Sequence, residues 1–258
     1  MILAIDIGNS NIVLGCIEGK TIAKEARIAT DLIKTSDQYM AELKNMLDLF
    51  EIPIASIEGS IISSVVPPLL NSFKTALVKL TGKMPLVVGP GIKTGLNILL
   101  DNPALAGGDL IVGAVAALAE YKAPMLIIDM GTATTITAID EKGNYLGGCI
   151  CPGVKISAEA LSGRTAQLPA ISLEAPKKAI GRNTIDSMQS GLMMGTAAML
   201  DGMIERMEEE LGQPAKVIAT GGMARFVIPM CRREITYDRD LLLKGLLRLY
   251  ENNKNRHL

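Results

Sequence analysis

Apolar residues in this chain fall into short runs broken by turn-forming residues. Residues 2–5, Ile-Leu-Ala-Ile, make a run of strand length, which Asp6-Ile7-Gly8-Asn9-Ser10-Asn11 interrupts. Ile12-Val13-Leu14-Gly15-Cys16-Ile17 then predicts a second strand, closed by the turn Glu18-Gly19-Lys20. The pattern recurs in the middle of the chain. Met125-Leu126-Ile127-Ile128 leads into Asp129-Met130-Gly131-Thr132-Ala133-Thr134; Ile136-Thr137-Ala138-Ile139 returns, and Asp140-Glu141-Lys142-Gly143 reads as the turn. Between the two copies, residues 89–96 read as a loop, and the Ala-rich apolar stretch Ile111–Ala119 predicts a buried helix. A later run, Lys216–Thr220, ends in Gly221-Gly222. The repeated unit predicts an α/β protein of two similar domains, residues 1–115 and 116–258, with the division near 113–123.

The repeated Asp-x-Gly has a chemical rationale. A strand delivers a carboxylate at its end, where it can hold a metal ion or a metal-bound water. The glycine two residues on removes a Cβ, so backbone N–H groups can approach a phosphate. Asn, Ser and Thr in the following positions add short donors. One copy alone is also what an ordinary hairpin turn looks like. Two copies, each after a buried-looking strand, suggest a pair of clamps on a polyphosphate. Gly221-Gly222 would let the backbone lie flat against a nucleoside, although a plain strand-to-helix turn reads the same way. Asp109, following Gly107-Gly108 at the head of the predicted helix, is either a general base on the lip of a cleft or a helix cap. No Gly-x-x-x-x-Gly-Lys-Ser/Thr loop and no Gly-x-Gly-x-x-Gly fingerprint occurs, which excludes a P-loop kinase and the usual dinucleotide fold.

Composition narrows the picture further. The 258 residues include no Trp, so the core must be built from aliphatic residues and the 14 Met. A net charge of −1 with scattered Lys and Arg argues against a nucleic-acid partner. Glu208-Glu209-Glu210 reads as a solvated helix face. The first residues lack a signal peptide's basic start, and no apolar run approaches the roughly 20 residues of a membrane span. These features predict a soluble cytoplasmic protein with no membrane partner. Cys16, Cys149, Cys151 and Cys231 lack a zinc spacing, and His257, the one histidine, sits in a polar tail, which disfavours transition-metal and Ser-His-Asp chemistry.

Two strand–turn hairpins with a late Gly-Gly resemble the phosphate and adenosine loops of the actin, hexokinase and heat-shock-chaperone fold, built from two actin-like (ribonuclease H-like) domains flanking an ATP cleft. The resemblance becomes specific along the whole chain. Asp-Ile-Gly-Asn-Ser-Asn at 6–11, Gly-Pro-Gly-Ile-Lys-Thr-Gly at 89–95, Asn102-Pro103, Gly107-x-Asp109, Asp129-x-Gly-Thr132 and Pro152-Gly153 resemble type III pantothenate kinases. So do Thr-Ala-Gln-Leu-Pro at 165–169, Ile-Gly-Arg-Asn-Thr at 180–184, Ser190-Gly191 with Gly195, and Ala-Thr-Gly-Gly at 219–222.

The resemblance implies phosphorylation of pantothenate by ATP with Mg2+, the first step of coenzyme A biosynthesis. Asp6, Ile7, Gly8, Asn9, Ser10, Asn11, Ile12 and Val13 would bind ATP, with Asp6 near the magnesium through water. Thr132 would also contact ATP. Asp109 would be the general base, and Gly107, Gly108, Asp109, Leu110 and Thr184 would border the substrate. Asp129 would bind a monovalent cation, K+ or NH4+. A homodimer with the substrate pocket at its interface is also implied. Departures from the family pattern cluster on the substrate side: Leu110 replaces an Arg, Leu100 a Tyr, Gly113 an Asn and Met194 an aromatic residue. Leucine cannot supply the bidentate carboxylate grip of arginine. A kinase of the same fold acting on another small alcohol, and a non-catalytic ATP-binding relative, are the alternative readings.

Overall fold

The computed structural model describes residues 1–254, so His257 lies outside the described residues. The chain divides into two compact units. The first comprises residues 1–95, 102–116 and the segment from Leu241 on; the second comprises residues 96–101 and 117–240.

In the first unit, β1 (Ile2–Ile7), β2 (Asn11–Glu18), β3 (Thr21–Ala29), β4 (Gly59–Ser64) and β5 (Leu86–Val87) form a sheet ordered β3-β2-β1-β4-β5. Strands β1 to β3 are antiparallel neighbours, whereas β1, β4 and β5 run parallel. One face carries Leu3, Ile5, Ile7, Ile12, Leu14 and Ile62 into a core with α1 (Ser36–Leu49) and α2 (Pro67–Thr81). Thr35 and Gln38 form a capping box at the head of α1, and Pro67 starts α2 with a φ already suited to a helix. Tyr39 of α1 and Phe73 of α2 meet with ring centroids 4.8 Å apart.

The opposite face of this sheet carries small residues. A Cβ on Gly15 would lie 2.8 Å from Leu243, and one on Gly59 would lie 2.1 Å from the Tyr250 hydroxyl. Both partners belong to the last helix. Two elements therefore close onto this face: the start of α3 (Gly108–Glu120) and the last helix, with which it packs so closely that a Cβ on Gly245 would meet the Val112 carbonyl at 2.2 Å.

In the second unit, β6 (Asn97–Ile98), β7 (Met125–Met130), β8 (Ala133–Ile139), β9 (Asn144–Pro152), β10 (Lys216–Thr220) and β11 (Thr236–Tyr237) form a sheet ordered β11-β10-β7-β8-β9-β6. Without β6, its order and strand directions repeat those of the first sheet. The helices are α4 (Val154–Arg164), α5 (Thr184–Gln189), a π-helical turn over Ser190–Met194, α6 (Gly195–Leu211) and the short α7 (Ala224–Val227). Leu126, Ile128, Met130, Ile136 and Val217 pack against Leu192, Met193, Ala197, Leu200 and Ile204.

The last helix, α8 (Leu241–Asn253), packs on β1 and β4. This differs from the domain limits read from the sequence, which kept residues 116–258 together. Leu241, Leu243, Leu246 and Leu249 of α8 are buried, and Gly15 and Gly59 on the first sheet make room for Leu243 and Tyr250. Asn253, at its end, accepts from the Lys93 N–H (2.9 Å) and donates to the Lys93 carbonyl (3.0 Å), pinning the 89–95 loop.

Candidate active site

The first hairpin turns at Asp6. Its register sets Asp6 opposite Val13 of β2 and Ser63 of β4, so these three side chains share one sheet face. The Gly8 N–H donates to the Asn11 carbonyl (3.0 Å), closing the turn, and a Cβ on Gly8 would press on that carbonyl at 3.1 Å. Thr30 supports the turn from β3's side: its hydroxyl donates to the Gly8 carbonyl (2.6 Å) and its N–H to the Ser10 carbonyl (3.1 Å). Asn9, Ser10 and Asn11 are left exposed at the tip. Ile7 and Ile12 are buried in the core, so only their backbone can face a ligand.

Asp109 lies in the same unit, in the first turn of α3. Its Oδ1 accepts from the N–H of the next residue, Leu110 (2.8 Å), not from a residue two or three positions on as a cap would. Burial pushes its carboxyl above the usual Asp value, and hydrogen bonds from the backbone N–H groups of Leu110 and Asp109 only partly offset this. Gly107 and Gly108 let the chain pass close to its neighbours: a Cβ on Gly107 would lie 2.6 Å from Asp109 Oδ1, and one on Gly108 3.5 Å from Ser63 Oγ. Leu110 is half-buried beside Gly107.

The second hairpin turns at Asp129, flanked in register by Thr135 of β8 and Thr220 of β10. The Gly131 N–H closes this turn onto the Ala133 carbonyl (3.0 Å). Both Asp residues occupy the penultimate position of their strand. The second loop, however, is one residue tighter, since Asp6 pairs with Val13 but Asp129 with Thr135. In both turns the glycine's own N–H is occupied within the loop. Two glycines back the second loop. Gly221, with φ +92°, lies so close that a Cβ would sit 2.6 Å from Asp129 Oδ1, and a Cβ on Gly153, at the head of α4, would meet the Thr132 carbonyl at 2.2 Å.

Thr184 is not part of this loop. It opens α5, behind the Asn183 cap, and lines a cavity of about 760 Å3 with Leu161, Arg182, Asn183, Gly191 and Leu192. The π-helical turn forms part of that wall; such turns recur at functional sites. Asp129 and Thr132 do not line it. The structure thus groups Asp6, Gly8 to Val13 and Gly107 to Leu110 in one unit, and Asp129, Thr132 and Thr184 in the other.

Two sheets that share one strand order apart from β6, with an Asp at the penultimate position of β1 and of β7 beside a tight turn, define an actin-like fold of the ATPase and sugar-kinase class. Solved structures agree on the fold. A Campylobacter jejuni protein assigned to the Baf family of transcriptional activators aligns with TM-score 0.62 at 20% identity, covering 98% of this chain and 99% of that one. An activator of 2-hydroxyisocaproyl-CoA dehydratase from Clostridium difficile, with bound ADPNP, aligns with TM-score 0.58 at 12% identity over 99% and 96%. A ROK hexokinase from Thermus thermophilus aligns with TM-score 0.51 at 11% over 96% and 97%.

The sequence fits one family within that class. The model of type III pantothenate kinase matches residues 2–206. Type III pantothenate kinases from Exiguobacterium sibiricum and another Exiguobacterium are each 46% identical over 254 residues, spanning 98% of this chain and all of each relative. The chain belongs to the type III pantothenate kinase family.

Proposed function

We propose that the chain transfers the γ-phosphoryl group of ATP to the primary alcohol of pantothenate, giving phosphopantothenate and opening coenzyme A biosynthesis. Family membership over the full length of the relatives carries this reading. Asp109 is the general base, and its position in the Asp6 unit and its raised pKa support that role. A carboxylate made more basic by burial is a better proton acceptor. It remains far weaker than an alkoxide, so the proton leaves the alcohol late, as the oxygen attacks phosphorus in line. Catalysis is then mostly positioning and charge neutralisation.

The Asp6 hairpin holds the phosphates through the exposed Asn9-Ser10-Asn11 tip, and Thr132 is a further ATP contact. Asp6, half-buried beside the buried Ser63 hydroxyl, is suited to a hydrated magnesium ion, which offsets phosphate charge when bound. At Asp129 the buried Thr135 Oγ1 has no hydrogen-bond partner among the described residues, and Gly221 packs directly on Oδ1. The carboxylate of Asp129 and the Thr135 hydroxyl are oxygen donors that suit a monovalent cation, K+ or NH4+. Gly107, Gly108, Leu110 and Thr184 border the pantothenate, in a homodimer with the pocket at its interface. The enzyme works in the cytoplasm; no helix among the described residues is long and apolar enough to cross a membrane.

The apolar Leu110 favours one second reading, a kinase of the same fold for an alcohol without a carboxylate. A coupled ADP-release assay with pantothenate, with its carboxamide analogue, and with or without K+ tests both. Pantothenate-dependent, K+-stimulated turnover is expected. Equal or faster turnover of the amide moves the assignment to the other alcohol, and ADP release on neither refutes the kinase reading.

A further inference from the structure

Ser63, the penultimate residue of the inner strand β4, has a fully buried side chain, yet its Oγ has no hydrogen-bond partner among the described residues. An unpaired buried hydroxyl works against the fold, and cores normally satisfy or omit such groups. Its location accounts for the exception. Pairing of β1 with β4 sets Ser63 directly beside Asp6 on one sheet face, about 5 Å apart as adjacent strands are. On its other side is Gly108, whose missing Cβ would come within 3.5 Å of the Oγ. The hydroxyl is therefore near both Asp6 and the turn of α3 that carries Asp109. The second unit repeats the placement: Thr220, also buried, pairs with Asp129 as Ser63 pairs with Asp6. Packing alone would be met by alanine at either position, whereas both copies place a hydroxyl beside the aspartate.

We propose that Ser63 is a positioning residue for the metal nucleotide, its hydroxyl holding a water of the magnesium hydration shell alongside Asp6. A hydroxyl both donates and accepts, so it can accept a hydrogen bond from a metal-polarised water while donating one to the carboxylate. A water there has at least two polar partners, as a buried water requires. This inference rests on the kinase reading, but its decisive readout is magnesium-dependent nucleotide binding, which needs no acceptor alcohol.

Ser63→Ala and the nearly isosteric Ser63→Cys test it, by thermal melting without ligand and by calorimetric ATP titration across a range of Mg2+ concentrations. Both variants are expected to melt at or above the wild-type temperature without ligand, since an unsatisfied hydroxyl is gone. Both should need roughly 10-fold more Mg2+ for tight ATP binding, as loss of a ligand-supporting contact does elsewhere, with metal-free ATP affinity unchanged. Wild-type Mg2+ dependence in Ser63→Cys would show that volume alone matters and overturn the proposal, as would lower melting of both variants with normal Mg2+ dependence. If wild type binds Mg-ATP but phosphorylates no pantothenate, the substrate assignment fails while the Mg2+ shift still decides the role of Ser63.

Discussion

Gly221 presses against the carboxylate of Asp129, and replacing it by alanine separates two costs that usually act together. Its φ of +92° is a conformation that a side chain disfavours, and its Cβ would sit 2.6 Å from Asp129 Oδ1 and from the Met130 backbone. Two other glycines isolate the parts. Gly82, the left-handed residue ending α2, has φ +70° and nothing within 4 Å of a Cβ, so Gly82→Ala carries the conformational cost alone. Gly153, with φ −68°, carries only the clash, at 2.2 Å from the Thr132 carbonyl. A left-handed residue with a Cβ costs about 1–2 kcal/mol, and overpacking a tight site about 1–3 kcal/mol. Gly221→Ala should therefore lose about 2–5 kcal/mol, at ~2–4 °C of Tm per kcal/mol for a protein of this size. Scanning calorimetry should give Tm losses of about 2–8 °C for Gly82→Ala and about 4–20 °C for Gly221→Ala. Because the displaced atoms include Asp129 Oδ1, Gly221→Ala should also lose most K+ stimulation in an ADP-release assay, while Gly82→Ala keeps it. Equal Tm losses at Gly82 and Gly221, with K+ stimulation intact in both, would refute the close packing of Gly221 on Asp129.

Asp109→Asn should keep ATP binding, lose ~10²-fold or more in turnover, and melt higher than wild type at neutral pH. The sign follows from the raised pKa: the folded form binds the proton more tightly than the unfolded one, so wild-type stability falls as pH rises through that window, and the variant's Tm advantage should vanish below the unfolded Asp value of 3.8. Near-full activity in this variant would remove Asp109 as the base. Leu110→Arg should lower the KM for pantothenate by ~10- to 100-fold with the ATP constant unchanged, as a charge-assisted bond worth roughly 1.5–3 kcal/mol allows; an unchanged KM with intact oligomeric mass would refute the carboxylate argument and favour the kinase for another alcohol. Gly245→Ala, which drives a Cβ to 2.2 Å from the Val112 carbonyl, should cost about 1–3 kcal/mol or more in denaturant unfolding, and no loss would place α8 elsewhere.

Local chemistry made the hairpins readable. Asp6 and Asp129 stand at the ends of short apolar runs and before Gly8 and Gly131, so strand, turn and carboxylate all follow from neighbouring residues. The helix after Asp109 was legible for the same reason. Long-range pairing was not. Nothing in Leu-Leu-Leu-Lys-Gly-Leu-Leu at 241–247 says which sheet these residues cover; that depends on Gly15 and Gly59, more than 180 residues earlier. Residues 97–98 are too short to signal a strand, and they find β9 only in three dimensions. The one-residue difference between the hairpins is a matter of register, which periodicity does not fix. Ser63 went unnoticed because a serine in Ser-Ile-Ile-Ser-Ser reads as a tolerated small residue; Ser60 of the same run also lacks a partner among the described residues, and only the pairing with Asp6 marks Ser63. The wall around Arg182 and Asn183 was visible as a family segment, whereas its cavity was not.

The position of α8 has a consequence for biosynthesis. A ribosome delivers β1 to β5 and the start of α3 early, but the helix that covers the glycine-lined face of their sheet comes out only after the whole second unit has been made. At about 5–20 residues per second, that face waits ~6–30 s for its lid. The second unit, whose residues 117–240 form one unbroken stretch, can collapse during that interval, while the nascent first unit is the part a chaperone would hold.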